Sequence, residues 1–306
     1  MSRQTENFFK EFHEYAAEKG AETEEELQQL LKEFVTQYNA SLPVAVTEEN
    51  AQTADDYLEL AENAKSKKQA LKYAQMALEA EPDNIDAAVT VTEMTAKTPD
   101  ELYENLCGLI VRAKERMTEE GWFDEENIGS FWQILETRPY MRLLNKYAQT
   151  TKELGMLRLT VATCEEMLRL CENDNLGIRY SLMHLYTFLE EEAPAIALME
   201  KYEKEESTQF LLPLSILYFK LGNKEKSEQY LQQLKAVNKD TVAFFKAISK
   251  GNLDTNPNEI NAYGYRPNTI EEFIVETHEN IYLFISSAGY FDWALRKLTS
   301  RKKKQS

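Results

Sequence analysis

Apolar residues recur at helical spacing along nearly the whole chain, and little interrupts them. Leu27, Leu30, Leu31, Phe34, Val35 and Tyr38 share one face, as do Leu102, Leu106, Leu109, Ile110, Ala113 and Met117. Only ten glycines and eight prolines punctuate 306 residues. A sandwich or barrel needs a turn every ~8–12 residues, so this scarcity argues against a many-stranded sheet protein. The expected fold class is all-α. Helix starts are written into the sequence: Thr23 with Glu26 three residues on forms a capping box, and Thr98-Pro99 and Thr137-Arg-Pro139 pair a cap with an early proline. The same pattern predicts a short helix over Asn127–Leu135, a long one over Ile270–Ala288 and a closing one over Tyr290–Leu298. Pro213, inside an apolar run, is expected to kink its helix or delay its start.

A second regularity lies above the helical one. Tyr218, Gly222, Ser227, Leu231, Leu234 and Lys239 are spaced by 4, 5, 4, 3 and 5 residues. The frame fits again at Tyr186, Glu190, Ala195, Met199 and Tyr202, and at Gly155, Thr160, Cys164 and Met167. Positions 160, 195 and 227 are offset by 35 and 32 residues. A fourth copy reads Ala70, Ala74, Ala77 and Pro82. This spacing resembles the tetratricopeptide repeat, with Ser227 in place of alanine, Lys239 in place of proline and Glu190 in place of glycine. The resemblance implies helical hairpins stacked into a right-handed superhelical array, with extra helices at the N- and C-terminal ends. The organisation expected is an N-terminal helical segment (1–50), a hairpin with connecting helices (51–136), the tetratricopeptide-like repeats (137–250), a loop (251–267), capping helices (268–300) and a basic tail (301–306).

A narrower block, Glu136-Thr-Arg-Pro-Tyr-Met-Arg142 followed by Asn173-Asp-Asn-Leu-Gly-Ile-Arg179, resembles suppressor-of-tumorigenicity-seven proteins and related bacterial tetratricopeptide proteins. That resemblance implies a block embedded in helical repeats, with no catalytic residue assigned to it.

Little in the sequence carries chemistry. Cys107, Cys164 and Cys171 are odd in number and form no CxxC pair, which speaks against a disulfide scaffold. His13, His184 and His278 stand apart from any ligand cluster, so no metal is expected, and no other cofactor. Phosphate-loop, GxGxxG and GxSxG patterns are absent, and no catalytic residue is expected. The net charge of −17 opposes binding along nucleic acid. The longest apolar stretch, 210–219, is far short of the ~20 residues that cross a membrane. With no apolar leader either, the protein is expected in the cytoplasm.

In the tetratricopeptide fold the first helix of each hairpin lines the concave face. That resemblance places Arg142, Asn145, Gln149, Tyr180, His184, Gln209 and Phe219 on a partner-binding groove, suited to a protein or peptide. Arg138 and Arg179 are expected either to grip an anion or to hold local structure. The resulting expectation is a non-catalytic interaction adaptor. A peptide-sensing regulatory module is the alternative, disfavoured by 11 acidic against 4 basic side chains in residues 1–50. An all-α enzyme stands behind both.

Overall fold

In a computed structural model the described residues are 3–20, 23–40, 45–202, 206–251 and 264–300. They form helices joined by turns, with no strand among them. Most of the predicted loop at 251–267, and the whole basic tail, lie outside the described residues. The chain packs as two compact units, 1–173 and 174–306, a division that falls inside the stretch expected to hold the repeats.

The first unit contains α1 (Arg3–Lys19), α2 (Glu24–Ala40), α3 (Ala54–Glu62), α4 (Lys67–Ala80), α5 (Ile85–Thr95), α6 (Pro99–Glu119), α7 (Arg138–Glu153) and α8 (Leu157–Leu170). The α3/α4 and α7/α8 pairs pack as hairpins. Local signals fix their starts. Thr23 and Glu26 exchange backbone bonds as a capping box, and Thr98 Oγ1 accepts from the Glu101 amide. The third cap behaves differently: Thr137 is buried, and its hydroxyl donates to the Phe131 and Ile134 carbonyls instead of accepting from its own helix. The short helix expected over Asn127–Leu135 is replaced by consecutive turns. Gly129, at φ +93°, leaves helical space. A single bridge, Ser130 to Cys171, then ties the segment to the end of α8. Phe131 is thereby buried against Phe123 and Tyr140.

The second unit contains α9 (Ile178–Leu189), α10 (Glu192–Lys201), α11 (Thr208–Lys220), α12 (Lys224–Val237), α13 (Thr241–Ser249), α14 (Ile270–Glu279), α15 (Ile281–Ser286) and α16 (Ala288–Thr299). The α9/α10 and α11/α12 pairs are hairpins. The repeat frame marks their crossings: Ala195 and Ser227 are fully buried, and Thr160 is buried at the same place in α7/α8. The turns obey it too. Gly155 and Gly222 have φ of +74° and +79°, and Glu190, where the frame lacks its glycine, still adopts φ +61°. Pro213 does not delay α11, which runs from Thr208 through the proline. The predicted helix over 270–288 is broken into α14, α15 and the start of α16. The Asn280 amide donates to the Glu276 carbonyl at 3.2 Å, and Asn280 leaves helical dihedrals. The break turns Ile281 and Ile285 outward while Phe273 and Phe284 enter the core.

α11 is buried from Thr208 to Tyr218. A short apolar cluster explains this: Leu211, Leu212 and Ile216 pack with Phe244, Phe245, Phe273, Tyr290 and Phe291 from α13, α14 and α16. The C-terminal helices are part of the second unit's core, beyond capping its end.

Candidate partner-binding surfaces

In the first unit α7 carries Arg138, Arg142, Asn145 and Gln149 at successive turns. Arg142 is held on two sides. Its Nε and Nη2 take both oxygens of Asp86 at 2.8 and 2.5 Å, and its Nη1 reaches both Glu6 oxygens at 3.0 and 3.1 Å. Burial works against its charge, but the two carboxylates outweigh it and raise its pKa further. Arg138 is buried, donating to the Trp132 carbonyl at 2.6 Å and reaching Glu6 at 3.3 Å. Asn145 is half-buried and Gln149 is exposed. Arg142 also lines a cleft of about 470 Å3 whose walls include Asp55, Asp83, Glu136 and Trp122.

In the second unit Asp174 organises the start of α9. Its oxygens accept from the Ile178 and Arg179 amides at 2.7 and 3.0 Å, and from Arg179 Nη1 at 2.8 Å. Burial raises the Asp174 carboxyl above its ordinary value in spite of those donors. The Arg179 guanidinium lies over the Tyr180 and Tyr202 rings, at 4.2 and 5.1 Å. Arg138 and Arg179 thus each meet a carboxylate from within the chain.

Tyr180, His184, Gln209 and Phe219 lie on α9 and α11, and the C-terminal helices cover much of that face. Tyr180 is half-buried, edge-on to Phe210 at 5.9 Å. His184 is wholly buried: Nδ1 lies 2.8 Å from the Tyr180 carbonyl, and Nε2 lies 2.7 Å from Glu276 Oε2 on α14, itself 3% exposed. Gln209 donates to the Tyr265 hydroxyl at 3.0 Å. Phe219 packs between Tyr290 and Trp293, with Lys224 Nζ over its ring. An open groove at His184, Gln209 and Phe219 therefore gives way to an intramolecular seam. The signal for it was present in the amphipathic pattern of 270–298, whose apolar face needs a neighbour.

The His184–Glu276 contact has a proton consequence. A carbonyl cannot donate, so His184 Nδ1 must carry a hydrogen. With a neutral ring and an ionised Glu276, Nε2 and Oε2 would both be acceptors and neither would have a partner. A contact of 2.7 Å between them is attractive only with a proton on one atom or the other.

Sequence reasoning missed a further surface. Between α10 and α12 lies a cleft of about 830 Å3, floored by Tyr218 and Tyr230. Their rings are stacked, 5.6 Å apart and 5° from parallel. The frame places both second helices on the opposite side from the expected groove, so nothing in it pointed there.

Among the described residues no group of His, Cys, Asp and Glu could hold a metal ion, and no helix is long and apolar enough to cross a membrane. No family model matches the chain, and no curated protein matches it. Among solved structures the chain is similar to one described as the crystal structure of MamA protein. The identity is 11% and the TM-score 0.40, over 65% of this chain and 96% of that one.

Proposed function

We propose that this protein is a non-catalytic adaptor that binds a protein or peptide segment on its helical-hairpin surface. One observation supports the reading above the rest. Each unit has its own open cleft walled by side chains from several helices, about 470 Å3 in the first and 830 Å3 in the second. Beside the first cleft the buried Arg138 is spent on an internal pair with Glu6. Clefts that mix carboxylates, amides and aromatic rings suit peptide side chains. In the first unit the proposed contacts are Arg142, Asn145 and Gln149. In the second, binding moves from the covered α9/α11 face to the α10/α12 side.

The test is affinity capture with quantitative mass spectrometry, comparing the native chain with cleft variants of unchanged melting temperature. Asp83→Lys with Glu136→Lys alters the first cleft, and Ala197→Arg fills the second. Both sites are exposed, so stability should hold within about 0.5 kcal/mol. Loss of a stoichiometric partner from one variant supports the reading. An identical captured set for all three proteins refutes it.

A further inference from the structure

The α10/α12 cleft has a specific electrostatic and steric character. Its α10 wall presents Ala193 and Ala197 one turn apart, neither with any side chain beyond Cβ, beside Ile196. The α12 wall presents Gln229 and Gln233, again one turn apart. Small residues on one side and amides on the other leave the channel between them open. Three carboxylates, Glu192, Glu200 and Glu206, ring it, against one cation, Lys226.

Lys226 shows how a cation sits in this place. Its Nζ lies 4.6 Å from the centre of the Tyr218 ring, 3.4 Å from the Tyr218 hydroxyl and 3.6 Å from Glu192 Oε1. Face-on contact with an aromatic ring and a carboxylate beside it is the arrangement that favours a lysine or arginine head group. Burial, followed by hydrogen bonding to Glu192, pushes the Tyr218 hydroxyl upward, so it stays protonated and donates. Lys226 and Glu192 are each about half exposed, so their pairing is weak and can be exchanged for another. Lys226 reaches one edge of the cleft. Glu200, on α10 two turns from Glu192, lines the rest of it.

We infer that this cleft docks a basic peptide segment, laying an arginine or lysine side chain along the Ala193/Ala197 wall with its head group among Tyr230, Glu200 and Glu206. This rests on the adaptor reading and names the chemical class of its partner. Charge complementarity carries it: the ring of carboxylates exceeds its one cation by two, and the aromatic floor offers ring face to a cationic stem.

The experiment is fluorescence anisotropy on the full chain at about 150 mM salt, where long-range attraction is screened. The probe is a fluorescein-labelled alanine peptide carrying arginine at every third position. An otherwise identical peptide with glutamate in place of arginine is its control. The arginine peptide is expected to bind saturably and the glutamate peptide not at all. Glu200→Gln with Glu206→Gln should weaken binding about five- to tenfold, and Ala197→Arg at least tenfold, since it both fills and neutralises the cleft. Glu115→Gln with Glu119→Gln, an exposed pair on α6, makes the same change in net charge and should leave affinity unaltered. Gln233→Arg repeats the blocking test from the α12 wall should Ala197→Arg lower the melting temperature. No saturable arginine binding, equal binding of both peptides, equal loss from the α6 pair or full affinity in the blocked variants would each overturn the inference. The capture experiment reads the adaptor function independently. Partners captured through the first cleft alone would leave that function standing and this inference refuted.

Discussion

Removing the Glu276 carboxyl should expose how the C-terminal helices are seated. In Glu276→Ala, His184 Nε2 loses its partner in a wholly buried site. Deleting the carboxyl removes the contact and leaves the neutral ring's Nε2 unsatisfied, an added cost of about 1–3 kcal/mol. Glu276→Gln is different. The neutral ring already donates from Nδ1 to the Tyr180 carbonyl, and the glutamine amide can donate to the bare Nε2. One neutral hydrogen bond replaces the proton-sharing one, at a cost of about 0.5–1.5 kcal/mol. The predicted gap between the two variants is the penalty for the unsatisfied Nε2, roughly 1–3 kcal/mol. Urea titration followed by fluorescence measures it, provided the second unit is observed alone. Trp293 is the only tryptophan after residue 173, so a background with Trp122 and Trp132 changed to phenylalanine isolates it. Equal destabilisation by Glu276→Gln and Glu276→Ala would refute the shared-proton geometry.

Three further outcomes are expected. Burial raises Glu272 above its ordinary 4.5 although Thr208, Asn238 and the Asn268 amide all donate to it. A raised folded-state value means the native state holds the proton more tightly, so this stabilisation is full below the unfolded value and lost as pH rises through the folded one. Glu272→Gln should then trail the native protein most near pH 4 and least near pH 7; urea midpoints showing the reverse order would contradict the cause assigned. At the α11/α12 crossing Ser227 and Ser215 each donate to the other's carbonyl, at 2.7 and 2.8 Å, and Tyr290 donates to Ser215. Ser227→Ala should cost about 1 kcal/mol and Ser227→Val about 1–3 through overpacking, read from the same midpoints. Glu190→Gly relieves a left-handed residue worth about 1–2 kcal/mol while loosening the unfolded chain by about 0.4–1, so calorimetry should show a net gain of up to about 1.5 kcal/mol.

The hairpins were legible because two independent signals agreed on them. Helical period gave the apolar face of α6 and its Thr98 cap, and the repeat frame picked out Thr160, Ala195 and Ser227, which are buried in their hairpins. The frame also explains its own departures: serine replaces alanine at 227 because Ser215 faces it, and glutamate replaces glycine at 190 while keeping the glycine's backbone. Where the reading failed, a local backbone preference or a side-chain bond competed with the helix. Asn280 and Gly129 broke segments whose apolar spacing was sound, since period counts burial and not backbone bonds. The groove was misjudged at His184 and Gln209 for another reason. Which neighbour covers a helix face is a long-range fact, and the segment that does so lies tens of residues away. The α10/α12 cleft was illegible because it owes its width to two alanines that look like ordinary helix formers.

The burial of α11 reaches beyond its static packing. In a plain array each hairpin touches only its neighbours, so order can spread from either end and single repeats come and go. Here α14 rests on α11, α15 on α9 and α16 on α12 and α13. During synthesis α11 must wait, its apolar surface open on one side, until α14 to α16 have left the ribosome. A chain shortened before Phe273 would therefore present Leu211, Leu212 and Ile216 to solvent. Quality control would meet it as an aggregating fragment, not as a shorter array.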